Sequence, residues 1–261
     1  MKITSGKFST VVKSEASKTS WNYQLQQYGT ALMAAIVPFV VLSVYLFYRR
    51  GYYDLYIANK IFAGVSAILL GIVLLVGPLS RHFSFPDRYI QYRKELGIIA
   101  FFIACIHGIV SLFFLQSKFP LSDFLGTLNL SFVFGLTAII LLAALFFIST
   151  DRAMHALGGN RWWRLQYWGA RLVFIFVFLH VFIMKWNGWI TWYKVGGSKD
   201  LVRPHWPGAG LLVGWFMVFV IFVRIAEYVS PKFARVAWYV SVILLSGIYI
   251  ATFWWGRQFI D

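Results

Sequence analysis

Acidic residues are scarce in this chain: nine Asp and Glu stand against 24 Lys and Arg in 261 residues. Charged residues of both signs make up only 13%, about half of what a soluble domain carries. Cysteine is represented once, by Cys105, which excludes an intramolecular disulfide, a cysteine zinc site and an iron–sulfur cluster. Cys105 stands among apolar neighbours, where inert packing is expected. No Walker, dinucleotide-binding or zinc-protease motif occurs, so any oxidation of NAD(P)H would need a separate soluble partner. No basic run exceeds a dipeptide, and the net charge of +15 is therefore not read as a nucleic-acid surface.

What is present is apolar surface, 60% of the residues, a fifth of all residues being aromatic. A soluble core cannot bury that much, whereas lipid accepts it. Seven apolar runs approach the roughly 20 residues needed to cross a bilayer core. They lie near 31–48, 59–79, 95–115, 129–149, 166–187, 208–228 and 233–254. Helix is the open-ended structure that satisfies its own backbone in lipid, so the expected fold is an all-α membrane protein, a bundle of about seven transmembrane helices. Residues 1–30 read as a polar N-terminal tail without a cleavable signal, and the run from Ala31 as an uncleaved anchor. Residues 188–261 read as an outer loop followed by two C-terminal spans.

Orientation follows from the basic residues of the loops. The N-terminal tail with the second, fourth and sixth loops carries thirteen: Lys2, Lys7, Lys13, Lys18, Arg81, Arg88, Arg93, Lys94, Arg152, Arg161, Arg164, Lys232 and Arg235. The opposite side carries nine, and Arg171 and Arg224 lie within helix ends, where they can snorkel. The expectation is N-terminus inside and C-terminus outside. Trp162, Trp163, Trp168, Trp186, Trp189, Trp192, Trp254 and Trp255 cluster at helix ends, as an aromatic belt does.

An ionisable residue deep in a membrane helix is a functional hypothesis by default. His107 and His180 are the two histidines in that position, on the third and fifth runs. His107 lies 13 residues past Lys94, and His180 lies 14 past Gln166. At about 1.5 Å per residue, both stand roughly 20 Å above the inner boundary. Two imidazoles at equal depth on parallel helices can grip a planar macrocycle, and histidine is a common haem ligand. They can equally make interhelical hydrogen bonds, and depth alone leaves both readings open. His82 and His155 are expected in solvated loops. His205 is expected to pack in the outer loop, with a place beside an acceptor as the alternative.

The segment Pro78-Leu79-Ser80-Arg81, then Tyr92-Arg93-Lys94-Glu95-Leu96-Gly97 and on to His107, resembles the ferric-reductase-like transmembrane family. A second likeness runs from Ser149-Thr150-Asp151-Arg152 through Leu157-Gly158 to Trp162-Trp163-Arg164-Leu165-Gln166 and His180. Within the family, the pattern is most similar to the haem-binding membrane subunits of periplasmic methionine sulfoxide reductase systems. The resemblance covers roughly residues 31–185 and implies a haem-binding helical core over 31–187 in a bacterial inner membrane. It implies haem b, with His107 and His180 as iron ligands, and electrons arriving from a flavin or quinol. The partners it implies are an outer-side reductase or a small oxidant, and on the inner side a quinol or a flavin reductase.

The chain also departs from the family pattern. Many relatives carry a second histidine about 14 positions earlier on each of these helices, where this chain has Arg93 and Gln166. The sulfoxide reductase subunits have arginine at the first place and histidine at the second, with a spacing one shorter that points to Tyr167. One haem is therefore expected rather than two. FMN or FAD held by Arg93, Arg164, Arg171 and Gln166 would bridge the inner half; alternatively those arginines form a lipid-phosphate belt and a quinol donates laterally. A haem-free scaffold or transporter that keeps the fold is the competing class.

Overall fold

The structure, a computed structural model, describes residues 6–83, 87–125 and 129–260. Among the described residues the chain forms nine α-helices and no strand. They are α1 (Gly6–Arg50), α2 (Leu55–His82), α3 (Arg93–Ile109), α4 (Leu121–Leu125), α5 (Leu130–Ile148), α6 (Asp151–Leu157), α7 (Gly159–Val195), α8 (Ala209–Val229) and α9 (Pro231–Gly256). Seven segments are long and apolar enough to cross a bilayer: Trp21–Arg50, Leu55–Ser80, Tyr89–Phe114, Leu130–Ile148, Gly159–Val195, Ala209–Val229 and Lys232–Phe259. Each contains the greater part of one predicted apolar run. The protein is an integral, multi-pass membrane protein in contact with lipid.

One boundary differs from expectation. The polar stretch before Ala31 is helical from Gly6 onward and continues into the first span as one 45-residue helix. Between Gly6 and Pro38 the one residue that weakens a helix is Gly29, and it does not interrupt this one, so a helix nucleated in the apolar half extends one bond per residue. The side chains of Lys2, Lys7, Lys13, Lys18, Arg81 and Arg88, counted above for orientation, lie outside the described residues. We call distal the face where α1 ends and α2 begins, and proximal the face where α2 ends.

Helix α2 is the centre of the bundle: 67% of its apolar window is buried, against 11% for α3, α5 and α7. Ile57, Ile61, Val65 and Leu69 are fully enclosed and recur every fourth residue, so they form one stripe. Polar groups within the bundle are tied across helices, as where Ser66 Oγ donates to Ala100 O at 2.9 Å. On α8, Met217, Val220 and Val223 meet the same core. The outward faces of the other helices remain apolar and exposed, including Phe113, Ile140, Phe147 and Ile250. Lipid is as apolar as these side chains, so packing and hydrogen bonds, rather than burial, hold the helices together.

The long distal loop is ordered, as its turn residues suggest. Gly196 ends α7 at φ +77°, a left-handed conformation that suits glycine. Gly197 N then donates to Pro204 O at 2.9 Å, closing the loop on itself. Its far end is fastened to α1: Arg49 Nε donates to Trp206 O at 2.9 Å, and Tyr45 OH donates to Pro207 O at 2.6 Å. His205 packs in this loop, with its ring edge-on to Trp206 and its carbonyl against Gly256.

Candidate functional site

His107 lies at the end of α3, three residues before the helix widens into a π-helical turn at Val110–Phe114. Such turns interrupt the regular hydrogen-bond ladder and are frequent at functional sites. His107 Nδ1 lies 3.1 Å from Asn59 O and 2.9 Å from Asn59 Oδ1. A carbonyl oxygen can only accept, so Nδ1 carries the proton and donates it. The lone pair is thereby fixed on Nε2. Asn59 is itself held, because its Nδ2 donates to Ser111 Oγ at 2.8 Å within the π turn.

His180 is arranged the same way against a different helix. Its Nδ1 donates to Ser131 O at 2.7 Å, with Ser131 Oγ at 3.2 Å. Ser131 Oγ in turn donates to His180 O at 3.1 Å. Here too the lone pair is left on Nε2. The ring is seated over Gly135, where a Cβ would come within 2.7 Å of Nδ1. Any larger residue at 135 would push the imidazole away from α5.

The two acceptors occupy matching places. Asn59 is in the second turn of α2 and Ser131 in the first turn of α5, and both helices start at the distal face. At about 1.5 Å per residue, each lies within roughly 7 Å of its helix start. Both starts are capped, by Asp54 Oδ1 accepting from Ile57 N at 2.7 Å and by Asn129 Oδ1 accepting from Phe132 N at 3.1 Å. Among the described residues no group of three or more His, Cys, Asp or Glu gathers, so these histidines do not belong to a metal cage built from protein alone. Two Nε2 lone pairs would suit an iron whose remaining ligands come from a macrocycle. Sequence reasoning missed Asn59 and Ser131. Their signal was their polarity inside apolar runs, since lone polar residues in membrane helices usually have a partner across the bundle.

The proximal residues take separate partners. Gln166 Nε2 donates to Ser149 Oγ at 3.1 Å and to Leu145 O at 3.3 Å, which ties α7 to α5. Arg93 Nε donates to Val73 O on α2 at 3.1 Å. Arg171 Nη1 donates to Tyr167 O at 2.6 Å, and its guanidinium lies 3.3 Å from the centroid of the Tyr167 ring. Arg164 is exposed. Glu95 is buried in α3, with one carboxylate oxygen lacking a hydrogen-bond partner among the described residues. His155 is exposed as expected, whereas His82 is half-buried.

Residues 62–170 match the family described as the ferric reductase like transmembrane component. The matched stretch includes His107 and Ser131 and stops short of His180, so the match and the histidine pair overlap without coinciding. Among curated proteins, the chain is 26% identical over 196 residues to the protein-methionine-sulfoxide reductase heme-binding subunit MsrQ of Herminiimonas arsenicoxydans, covering 74% of this chain and 81% of that protein. The proteins of the same name from Bordetella parapertussis and Bordetella bronchiseptica are each 26% identical over 153 residues, which is 58% of this chain and 68% of theirs.

Proposed function

We propose that this protein binds one haem b between His107 and His180 and passes electrons through it across the distal half of the membrane. The observation that carries the reading is the shared tautomer. Both imidazoles give their Nδ1 proton to a backbone carbonyl of a neighbouring helix, at 3.1 Å on Asn59 and 2.7 Å on Ser131. Histidines that ligate a metal through Nε2 are regularly held by such a bond, which orients the ring and raises its basicity. The names of the curated relatives, heme-binding subunits, support the same reading. When bound, haem supplies a one-electron carrier. The chain's own residues fix each ring through its Nδ1 bond, to Asn59 and to Ser131, and so leave each Nε2 lone pair available.

In this reading residues 31–187 are the haem-binding core, and residues 188–261 add the outer loop and two supporting spans. The excess of basic residues in the proximal loops supports an N-terminus inside and a distal face outside, in a bacterial inner membrane. Electrons enter from a flavin or a quinol on the proximal side. Arg93, Gln166, Arg164 and Arg171 are the residues available to a flavin there. Electrons leave towards an outer acceptor, either a partner reductase or a small oxidant.

A reduced-minus-oxidised optical spectrum of the purified protein, made with ample haem, tests the core of this proposal. A b-type α band is expected. Its absence would leave a haem-free scaffold or transporter as the better reading. Extraction of the same protein and analysis for FMN and FAD tests the donor side, and finding neither favours a quinol.

A further inference from the structure

Each imidazole is held by two oxygens of one residue on the neighbouring helix, and the two grips differ. On His107 the side chain is the nearer acceptor: Nδ1 lies 2.9 Å from Asn59 Oδ1 and 3.1 Å from Asn59 O. On His180 the order is reversed, with Ser131 O at 2.7 Å and Ser131 Oγ at 3.2 Å. A backbone carbonyl is the same whatever residue carries it. The chemistry that the sequence can adjust is therefore concentrated on the amide of Asn59. That amide is fully buried, and in a low-dielectric site a satisfied hydrogen bond is electrostatically stronger.

The amide is also aimed. Asn59 Nδ2 donates to Ser111 Oγ at 2.8 Å, and Ser111 stands four residues past His107 in the π turn. With Nδ2 engaged there, Oδ1 is the end turned to the imidazole. The bonds run head to tail, from His107 Nδ1 to Asn59 Oδ1 and from Asn59 Nδ2 to Ser111 Oγ, so each polarises the next. A stronger acceptor on Nδ1 makes Nε2 the more basic, and a more basic ligand favours ferric over ferrous iron. We propose that Asn59, aimed by Ser111, is a positioning residue that sets the reduction potential of the haem, holding it low through His107. This rests on the haem reading above. An iron held low yields its electron more readily to an outer acceptor.

The test is a potentiometric titration of the full-length, haem-loaded protein, followed at the α band, with the near-infrared signal of the oxidised iron recording its ligands. In Asn59→Ala the preference for ferric iron should fall about tenfold, which raises the midpoint by about 59 mV for one electron. Ser111→Ala keeps the amide but frees its Nδ2, so the midpoint should rise part of the way, and Ser111→Thr should restore it. Ser131→Ala removes only the farther acceptor of His180 and should change the preference less than about twofold, since the backbone bond remains. In every variant the two-histidine, low-spin signal should persist. An unchanged midpoint in Asn59→Ala overturns the proposal, as does a rise in Ser131→Ala as large as that in Asn59→Ala. A rise that comes with loss of the low-spin signal also overturns it, because the ligand itself has then gone. If Asn59→Ala retains no haem, Ser111→Ala decides, and an unchanged midpoint there overturns the proposal. A wild type that takes up no haem overturns the haem reading itself.

Discussion

At the scale of single residues, the account turns on which nitrogen of each imidazole is occupied. His107→Ala and His180→Ala should each remove most of the haem from purified protein, whereas Gln166→Ala should leave its stoichiometry near one. Loss of haem from the Gln166 variant with retention in the His180 variant would show the pairing to be wrong. Asn59→Ala keeps the backbone acceptor but removes Oδ1 at 2.9 Å and the link to Ser111. Haem affinity should fall about tenfold, at the mild end of what such supporting bonds contribute. Gly135→Ala is a sharper probe. A Cβ there meets His180 Nδ1 at 2.7 Å, whereas at Gly97 it meets nothing within 4 Å. Haem content by absorbance should drop in the first variant and hold in the second, which should also gain about 0.5–1 kcal/mol of helix stability. The histidines themselves were legible in the sequence, because an ionisable residue deep in an apolar run is conspicuous. Their partners were not, since one Asn or Ser in a span has no periodic pattern that says which helix it will face.

At the scale of elements, the site depends on where α2 and α5 begin. Asn129 caps α5 two residues before Ser131, so fraying of that end would release the acceptor of His180. Asn129→Ala should therefore destabilise the start of α5 by about 1 kcal/mol. The measurable consequence is a lower temperature for thermal loss of the haem band, with room-temperature stoichiometry unchanged. An unchanged midpoint would show that α5 is held by packing alone. Spans were the most readable part of the sequence, since length and apolarity suffice to find them. The continuous α1 and the π turn after His107 were not readable. A polar helix extending from an apolar one leaves no boundary signal, and a π turn depends on bonds to another helix, here through Ser111 and Asn59.

At the scale of the whole molecule, seven candidate spans would put the termini on opposite faces, and the proposed orientation has the more basic loops inside. In a Cys105→Ala background, Ser198→Cys should react with a membrane-impermeant maleimide added to intact cells. Lys232→Cys should react only after the membrane is opened. The reverse pattern would invert the electron path as well as the topology. The fold leaves the haem reading strongest at the distal face. At the proximal face Gln166 and Arg93 are tied to neighbouring helices, which gives no second pair of imidazoles and fits a single haem served by a flavin or quinol. The most direct measurement is haem per chain on purified protein by pyridine haemochrome, read together with the near-infrared signature of the oxidised iron. One haem b per chain, low-spin with two histidine ligands, is the predicted result. No haem after production with ample haem, or haem retained when His107 and His180 are both alanine, would contradict the account.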